Sequence, residues 1–159
     1  MAILVTGGAG YIGSHAVKAL QRAGREVVVY DDLSAGHRAA VGDVTLVQGD
    51  VRDLDGVRRV IQGHSVTAVM HFAAKLSVSE SVADPLAYYR TNVGGALTVL
   101  EAMAAENVRA FVFSSTAAVY GEPQEAPIPE TLLLVLRKLD AEQLQIVTIV
   151  AAAIQRGAM

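Results

Sequence analysis

Cysteine is absent from the 159-residue sequence, and its absence excludes disulfide bonds and thiolate chemistry. A reducing compartment is therefore permitted, and we expect a cytoplasmic protein. Clusters of basic residues are also absent, and 13 basic against 16 acidic residues give a formal net charge of −3. This balance points to neither a nucleic-acid partner nor a membrane partner.

Residues 1–129 also lack an apolar run long enough to span a bilayer, and the N-terminus lacks the basic region and apolar run of a signal peptide. The four histidines have no metal-ligand spacing, so no metal site is predicted, and His71 is expected in the core.

The chain is 52% apolar and 18% charged, which argues against disorder. Its length predicts one domain with a substantial core.

A glycine-rich stretch follows the first predicted strand, Ile3–Thr6, and precedes a segment with apolar residues at helical spacing. In a dinucleotide-binding turn, Gly7 would allow the tight turn and Gly10 would let a pyrophosphate approach the backbone. Gly13 would let the helix pack close to the strand, and the helix N-terminus would favour the anion. An ordinary glycine-rich turn is the alternative for this triplet on its own.

The second predicted strand, Glu26–Tyr30, is followed directly by Asp31, about 20 residues after the glycines. A carboxylate in this position can accept hydrogen bonds from a ribose hydroxyl and would repel an additional phosphate. Together with the glycines, Asp31 therefore favours a dinucleotide site over an ordinary turn, and NAD over NADP.

Strands and helices alternate up to residue 120, which predicts an α/β fold with a doubly wound parallel sheet of order 3-2-1-4-5. Serines 77, 79 and 81 are expected in a mobile loop. The remaining predicted elements are strands Val44–Val47, Val66–Phe72 and Phe111–Ser114, a helix capped by Asp53 that ends near Gly63, and a long helix that runs from Asp84-Pro85 to about Glu106.

Ligands of such sheets bind beyond the carboxyl ends of the strands, so the residues that follow each strand are site candidates. Asp50 could accept from an adenine amino group while Val51 packs on the ring, although a turn cap is an equally good reading of Asp50. The small residues of Ala73–Lys75 leave room for a flat ring. The hydroxyls of Ser114–Thr116 could bind a substrate, but a serine/threonine turn is favoured on the residues alone.

Six linked motifs, TGGAGYIGSH, YDDLSAGHR, GDVRD, HFAAKLSVSESV, YYRTNVGGALTVLEAM and FSSTAAVYGEP, cover Met1 to about Glu130. In this order and spacing the chain resembles the N-terminal half of the extended short-chain dehydrogenase/reductases, and within them the UDP-glucose 4-epimerases. The resemblance implies a Rossmann domain that holds NAD, followed by a smaller domain for a UDP-sugar. It also implies hydride transfer from sugar C4 to NAD and back to the other face.

The resemblance assigns roles to individual residues. Thr116 corresponds to a hydroxyl that assists proton transfer, and Tyr120 to a substrate-side contact. Two departures are Asp32, where asparagine is usual, and Lys75, which lies one position early. The residues that the resemblance places around NAD are Gly7, Gly10, Tyr11, Ile12, Gly13, Asp31, Asp50, Val51, Phe72, Ala73, Ala74, Lys75, Asn92 and Ser114.

The resemblance fails after residue 130, where the family has Tyr-x-x-x-Lys as its acid/base. The sequence has no tyrosine after Tyr120, and a faint match at Lys138 would place Leu134 at the tyrosine position. Leucine cannot exchange a proton, so Thr116 is interpreted as vestigial and no turnover is expected. An active epimerase fragment and a folding scaffold with an empty site are the alternatives to a cofactor-binding half-domain.

The composition changes sharply at Thr131, so we divide the chain into a half-domain at 1–130 and a tail at 131–159, with no separate substrate domain. The tail is predicted to form helices at about 131–138 and 141–156, although Ile146–Val150 also resembles a strand. Its apolar surface would pack on the sheet or on a partner chain. A truncation, a frameshift and a fusion all fit this change, and a fusion is preferred. The family's helical dimer interface implies a homodimer.

Overall fold

The structure is a computed structural model of the full chain and describes residues 1–115. The chain divides into two compact units, Met1–Phe111 and Val112–Met159. The predicted boundary at residue 130, both predicted tail helices and the possible sixth strand lie outside the described residues.

A parallel sheet with the order β3-β2-β1-β4-β5 forms the centre of the described fold. This order confirms the prediction, and the strand ends lie within one residue of those predicted. The strands are β1 (Ala2–Thr6), β2 (Glu26–Asp31), β3 (Thr45–Gln48), β4 (Val66–His71) and β5 (Ala110–Phe113). The helices are α1 (Tyr11–Arg22), α2 (Leu54–Gly63), α3 (Val78–Ala83), α4 (Pro85–Tyr88) and α5 (Gly95–Ala105), and a 3-10 turn covers Arg38–Val41.

The central strands are apolar on both faces because helices cover both. Leu4 pairs in register with Val28, and both belong to one buried cluster with side chains of α2 and α5. Val5 pairs with Val29 on the opposite face, where α1 packs on β1 and β2. Strands buried on two faces appear in the sequence as continuous apolar runs, as they do here.

The loop predicted for serines 77, 79 and 81 was wrong for Ser79 and Ser81, which lie in a helix, whereas Ser77 lies at the end of the preceding loop. Val78–Ala83 is a short helix, and the Ser77 hydroxyl oxygen accepts a hydrogen bond from the backbone N–H of Glu80 at 3.4 Å. Serine followed three residues later by glutamate is the capping-box pattern. That pattern was present in the sequence and would have predicted a helix start here.

The long helix predicted after Asp84 is present from Pro85 to Ala105, as expected, but its hydrogen-bond pattern changes in the middle. The Asp84 carboxylate accepts from the Ala87 backbone N–H at 3.1 Å and so caps α4. A π-helical stretch, Tyr89–Gly94, then separates α4 from α5. The two glycines 94 and 95 lower the local helix preference. Gly95 also lies so close to the Val51 side chain that an added Cβ would be 2.7 Å from Val51 Cγ2.

A buried polar pair links β1 to β4 at their carboxyl ends. Thr6 and His71 are opposite each other in the sheet, and Thr6 Oγ1 lies 2.7 Å from His71 Nδ1. Both residues are almost fully buried, and burial lowers the pKa of His71 to about 4. His71 is therefore neutral in the folded protein at neutral pH, and the prediction of a core histidine is confirmed.

We predict that acid destabilises the fold through His71. The unfolded histidine, with a pKa near 6.5, binds a proton below that pH, whereas the folded one stays neutral until about pH 4. The free energy of unfolding should therefore fall as the pH drops through this window, by up to about 3 kcal/mol. Urea denaturation at several pH values between 7.5 and 5 measures the slope.

The variant His71→Gln provides the control, because glutamine can accept from Thr6 but does not titrate. It should remove most of the slope above pH 5. Hydrogen bonds from neighbouring side chains lower the pKa values of Asp50 and Glu106, so these carboxylates add a loss of stability at still lower pH in both proteins. An unchanged slope in His71→Gln would show that another group causes it.

Candidate functional site

The turn after β1 brings three segments of backbone into close contact. Gly7 has a φ of +69°, and its N–H donates to the Tyr30 carbonyl at 2.9 Å. A Cβ on Gly7 would lie 2.5 Å from the Ala73 backbone nitrogen, in the loop that follows β4. Both the dihedral angle and this close approach require glycine, which agrees with the predicted role of Gly7 in the tight turn.

The other two glycines of the triplet differ in the space around them. A Cβ on Gly13 would lie 2.1 Å from the Gly7 carbonyl oxygen, so the first turn of α1 packs directly on the glycine turn. Among the described residues, a Cβ on Gly10 would meet only that same oxygen, at 3.3 Å. Gly10 caps α1 with an ordinary φ of −76°, so the fold itself does not require glycine at this position. The open space beside Gly10 is therefore available to a ligand.

The N-terminus of α1 favours an anion. Its first turn contains no acidic residue that would neutralise the positive end of the helix dipole. The side chains of Tyr11 and Ile12 are 83% and 50% exposed, so any contact from these two residues to a pyrophosphate would come from their backbone N–H groups.

Asp31 fixes the shape of the site in addition to its predicted contact with a ribose. Its carboxylate accepts from the Ala9 N–H and the Leu33 N–H, one on each oxygen and both at 2.9 Å. Leu33 adopts a φ of +60°. Asp31 therefore ties the glycine turn to the loop after β2. Each carboxylate oxygen retains capacity to accept a further hydrogen bond from a hydroxyl.

Asp32 occupies the position where the resembling family usually has asparagine. Its Oδ1 accepts from the Ser34 backbone N–H at 2.9 Å and from the Ser34 hydroxyl at 2.6 Å. An asparagine side-chain oxygen could accept the same two hydrogen bonds, so the departure leaves the loop geometry intact. The difference is one additional negative charge beside Asp31.

Asp50 serves the turn after β3, which is one of the two roles that the sequence left open. Its Oδ1 accepts from the Arg52 backbone N–H at 2.8 Å, and the Arg52 guanidinium pairs with both oxygens. These hydrogen bonds lower the pKa of the Asp50 carboxyl. The side chain is still 37% exposed, which leaves it accessible at the edge of the sheet. Val51 is buried against Gly95.

The loop after β4 is held by hydrogen bonds at Phe72 and at Lys75. The Phe72 N–H donates to the Thr6 carbonyl at 2.9 Å. At Lys75, the Asn92 side-chain amide accepts from the backbone N–H at 2.8 Å and donates to the carbonyl at 3.0 Å. Asn92 therefore positions this loop, a role that nothing in the sequence indicated. The Lys75 ammonium group lies 5.8 Å from the centre of the Tyr88 ring.

These contacts bring the predicted residues that follow β1 to β4 together at one edge of the sheet. Ser114 follows β5 and is half-buried, whereas Thr116 and Tyr120 lie outside the described residues. Within residues 1–115, no group of three or more histidine, aspartate or glutamate side chains could hold a metal ion. In the same range, no helix has the length and apolar character needed to cross a membrane.

Comparison with known proteins gives closely related matches. The UDP-glucose 4-epimerase of Halalkalibacterium halodurans is 51% identical over 131 residues, which are 82% of this chain and 39% of that protein. The crystal structure of the Brucella ovis UDP-glucose 4-epimerase with NAD is 45% identical, with a TM-score of 0.75 and coverage of 82% of this chain and 40% of that one. The Bifidobacterium longum UDP-glucose 4-epimerase, solved with NAD+ and UDP, is 37% identical, with a TM-score of 0.74 and coverage of 82% and 41%.

The chain thus spans about two fifths of the length of these relatives. The sequence pattern of the NAD dependent epimerase/dehydratase family matches residues 3–141, which is most of the chain. The parallel sheet and its order, together with the glycine turn and Asp31, agree with this match. The chain therefore belongs to the NAD dependent epimerase/dehydratase family.

Proposed function

We propose that this chain binds NAD at the carboxyl edge of its sheet and does not catalyse epimerisation. The observation that carries the proposal is the open space beside Gly10, at the N-terminus of α1. A pyrophosphate in this space would face backbone N–H groups and the positive end of the helix dipole. The Brucella ovis and Bifidobacterium longum relatives, both solved with NAD, support the same assignment.

The adenosine half of NAD would lie along the ends of β2 and β3. Asp31 would accept from the ribose hydroxyls with the capacity that Ala9 and Leu33 leave free. Asp50 would accept from the adenine amino group. The Phe72–Lys75 loop would follow the path toward the nicotinamide, held in place by Asn92.

We propose no turnover because the sequence has no tyrosine after Tyr120 that could take the place of the family's acid/base. Epimerisation requires an acid/base at the sugar's C4 hydroxyl, with a pKa near the working pH. A threonine hydroxyl such as that of Thr116 is far too weak a base to take this role alone. UDP binds the Bifidobacterium longum relative, but we do not propose UDP or a UDP-sugar as a ligand of this chain.

Self-association is also proposed, on the basis of apolar side chains that the described residues leave exposed. Val78 and Val82 of α3 are 78% and 80% exposed, and Leu86 of α4 is 61% exposed. Leu97 of α5 is 55% exposed. A single helical region with so many exposed apolar side chains is typical of an interface, and closed two-fold pairing is the commonest symmetry.

We predict that NAD binds more tightly than NADP, by roughly tenfold or more, because the additional phosphate would lie against the carboxylates of Asp31 and Asp32. Isothermal titration calorimetry with both dinucleotides measures the difference. Equal or stronger binding of NADP would remove Asp31 from its assigned role.

The variant Gly10→Leu tests the pyrophosphate position in the same titration. Its side chain would fill the open space, and the φ of Gly10 suits any residue, so the variant should fold but lose NAD binding. Gly63→Leu is the matched control, because no other atom of the part of the chain that the structure describes lies within 4 Å of a Cβ there. Asp31 variants are less informative, because they would also release the Ala9 and Leu33 N–H groups. Mass spectrometry of ligand released by heat distinguishes a bound cofactor from an empty scaffold.

We predict no detectable conversion of UDP-galactose to UDP-glucose, even with saturating NAD. Loss of a general acid/base alone costs roughly two to four orders of magnitude in rate. The assay incubates the chain with UDP-galactose and measures UDP-glucose by chromatography. Turnover that disappears in Thr116→Val but persists in the exposed control Thr67→Val would establish the alternative, an active epimerase fragment.

We predict a homodimer, with a mass in solution of twice 16.7 kDa. Light scattering over a hundredfold range of protein concentration measures this mass. Val82→Lys should shift the protein toward monomer, because it places a charge within the apolar surface. Gln21→Lys, at an exposed position of α1, is the matched control and should leave the mass unchanged. A wild-type monomer at all concentrations would contradict the proposal.

A further inference from the structure

Tyr30 reaches from β2 to the turn that follows β3. It is the residue before Asp31, and only 2% of its surface is exposed. Its hydroxyl donates to the main-chain carbonyl of Asp50 at 3.2 Å. Burial raises the pKa of this phenol, as do the nearby carboxylates of Asp53 and Asp50. The hydroxyl is therefore a permanent donor at neutral pH.

Two glycines leave the space that the Tyr30 hydroxyl occupies. A Cβ on Gly49 would lie 2.3 Å from the hydroxyl oxygen, and a Cβ on Gly56 would lie 2.6 Å from it. Both distances are far below van der Waals contact. The phenol thus lies between the end of β3 and the first turn of α2, in a space that exists only because neither residue has a side chain.

The turn that receives this hydrogen bond is already well ordered internally. The Asp50 carbonyl also accepts from the Asp53 N–H at 2.9 Å, which closes the turn, and Asp50 Oδ1 accepts from the Arg52 N–H. These bonds fix the turn's own shape but not its orientation relative to β2. The turn is joined to β2 by the Gly49 N–H, which donates to the Asp31 carbonyl at 3.0 Å, and by the Tyr30 hydroxyl, which is the link that reaches Asp50 itself.

We propose that Tyr30 is a positioning residue for the adenine end of the dinucleotide site. By holding the Asp50 carbonyl, its hydroxyl would direct the exposed Asp50 carboxylate toward the 6-amino group of adenine. This inference rests on the proposed function, since it assumes that the chain binds NAD. It assigns Tyr30 no contact with the ligand.

Tyr30 contacts both the pyrophosphate end and the adenine end of the site, and a variant of this residue can change one contact without the other. The main-chain carbonyl of Tyr30 accepts from Gly7 and supports the pyrophosphate turn, whereas its side-chain hydroxyl supports the turn at Asp50. Tyr30→Phe removes only the hydroxyl and leaves the ring and the main chain in place. The effect should therefore appear at the adenine end alone.

The test compares NAD with nicotinamide hypoxanthine dinucleotide, in which an oxygen replaces the 6-amino group of adenine. Wild-type protein should bind NAD more tightly, because at the 6-position adenine offers Asp50 a donor amino group, whereas hypoxanthine has an oxygen that can only accept. Tyr30→Phe should weaken NAD binding by roughly three- to tenfold and leave binding of the hypoxanthine analogue within about twofold. Discrimination between the two ligands should therefore shrink. Tyr89→Phe, at a residue that is 68% exposed, is the matched control.

Gly49→Ala tests the same contact from the opposite side, because its Cβ would displace the hydroxyl while the phenol remains in the chain. It should produce the same selective loss of NAD binding, and it decides the question if Tyr30→Phe does not fold by circular dichroism. Equal weakening of both ligands, or no change in either, would overturn the positioning role. Failure of the wild-type chain to bind NAD would instead overturn the proposed function.

Discussion

Close contact between backbone segments at the carboxyl end of β1 is the constraint on which the described site depends. Gly7 lies against Ala73 of the loop after β4, and Gly13 lies against Gly7, so β1, α1 and that loop meet without an intervening side chain. Any residue larger than glycine at position 7 or 13 would separate these elements. Among residues 1–115, a Cβ on Gly10 would meet one atom, the Gly7 carbonyl oxygen at 3.3 Å, so this side of the turn is left open.

The polar groups around this turn are held by main-chain hydrogen bonds before any ligand arrives. Asp31 joins the glycine turn to the loop after β2, and Asp50 is oriented by its own turn and by Arg52. Asn92 uses its whole amide on the backbone of Lys75. Such preorganisation would lower the entropic cost of binding the proposed dinucleotide, because the loops are already ordered.

Hydrogen bonds of buried side chains next to the site also hold the strand ends in place. Thr6 and His71 connect neighbouring strands directly below the glycine turn, and Tyr30 connects β2 to the turn after β3. A buried polar group that lost its partner would cost free energy, so each pair favours one arrangement of the strand ends. The fold and the site are therefore stabilised by some of the same interactions.

Local pattern in the sequence determined where the strands lie, where the glycine turn lies and that Asp31 follows β2, because apolar runs and a strand–glycine–helix sequence are properties of short segments. The strand order followed from the alternation of strands and helices together with the general rule for crossover connections. The capping-box pattern of Ser77 and Glu80 is also local, although the sequence analysis predicted a loop there. Only the tertiary structure decided that Asp31 holds Ala9, that Asn92 holds Lys75 and that the Tyr30 hydroxyl fits between Gly49 and Gly56. Those contacts join residues from different elements, and no local periodicity records which side chains will meet when separate elements pack together.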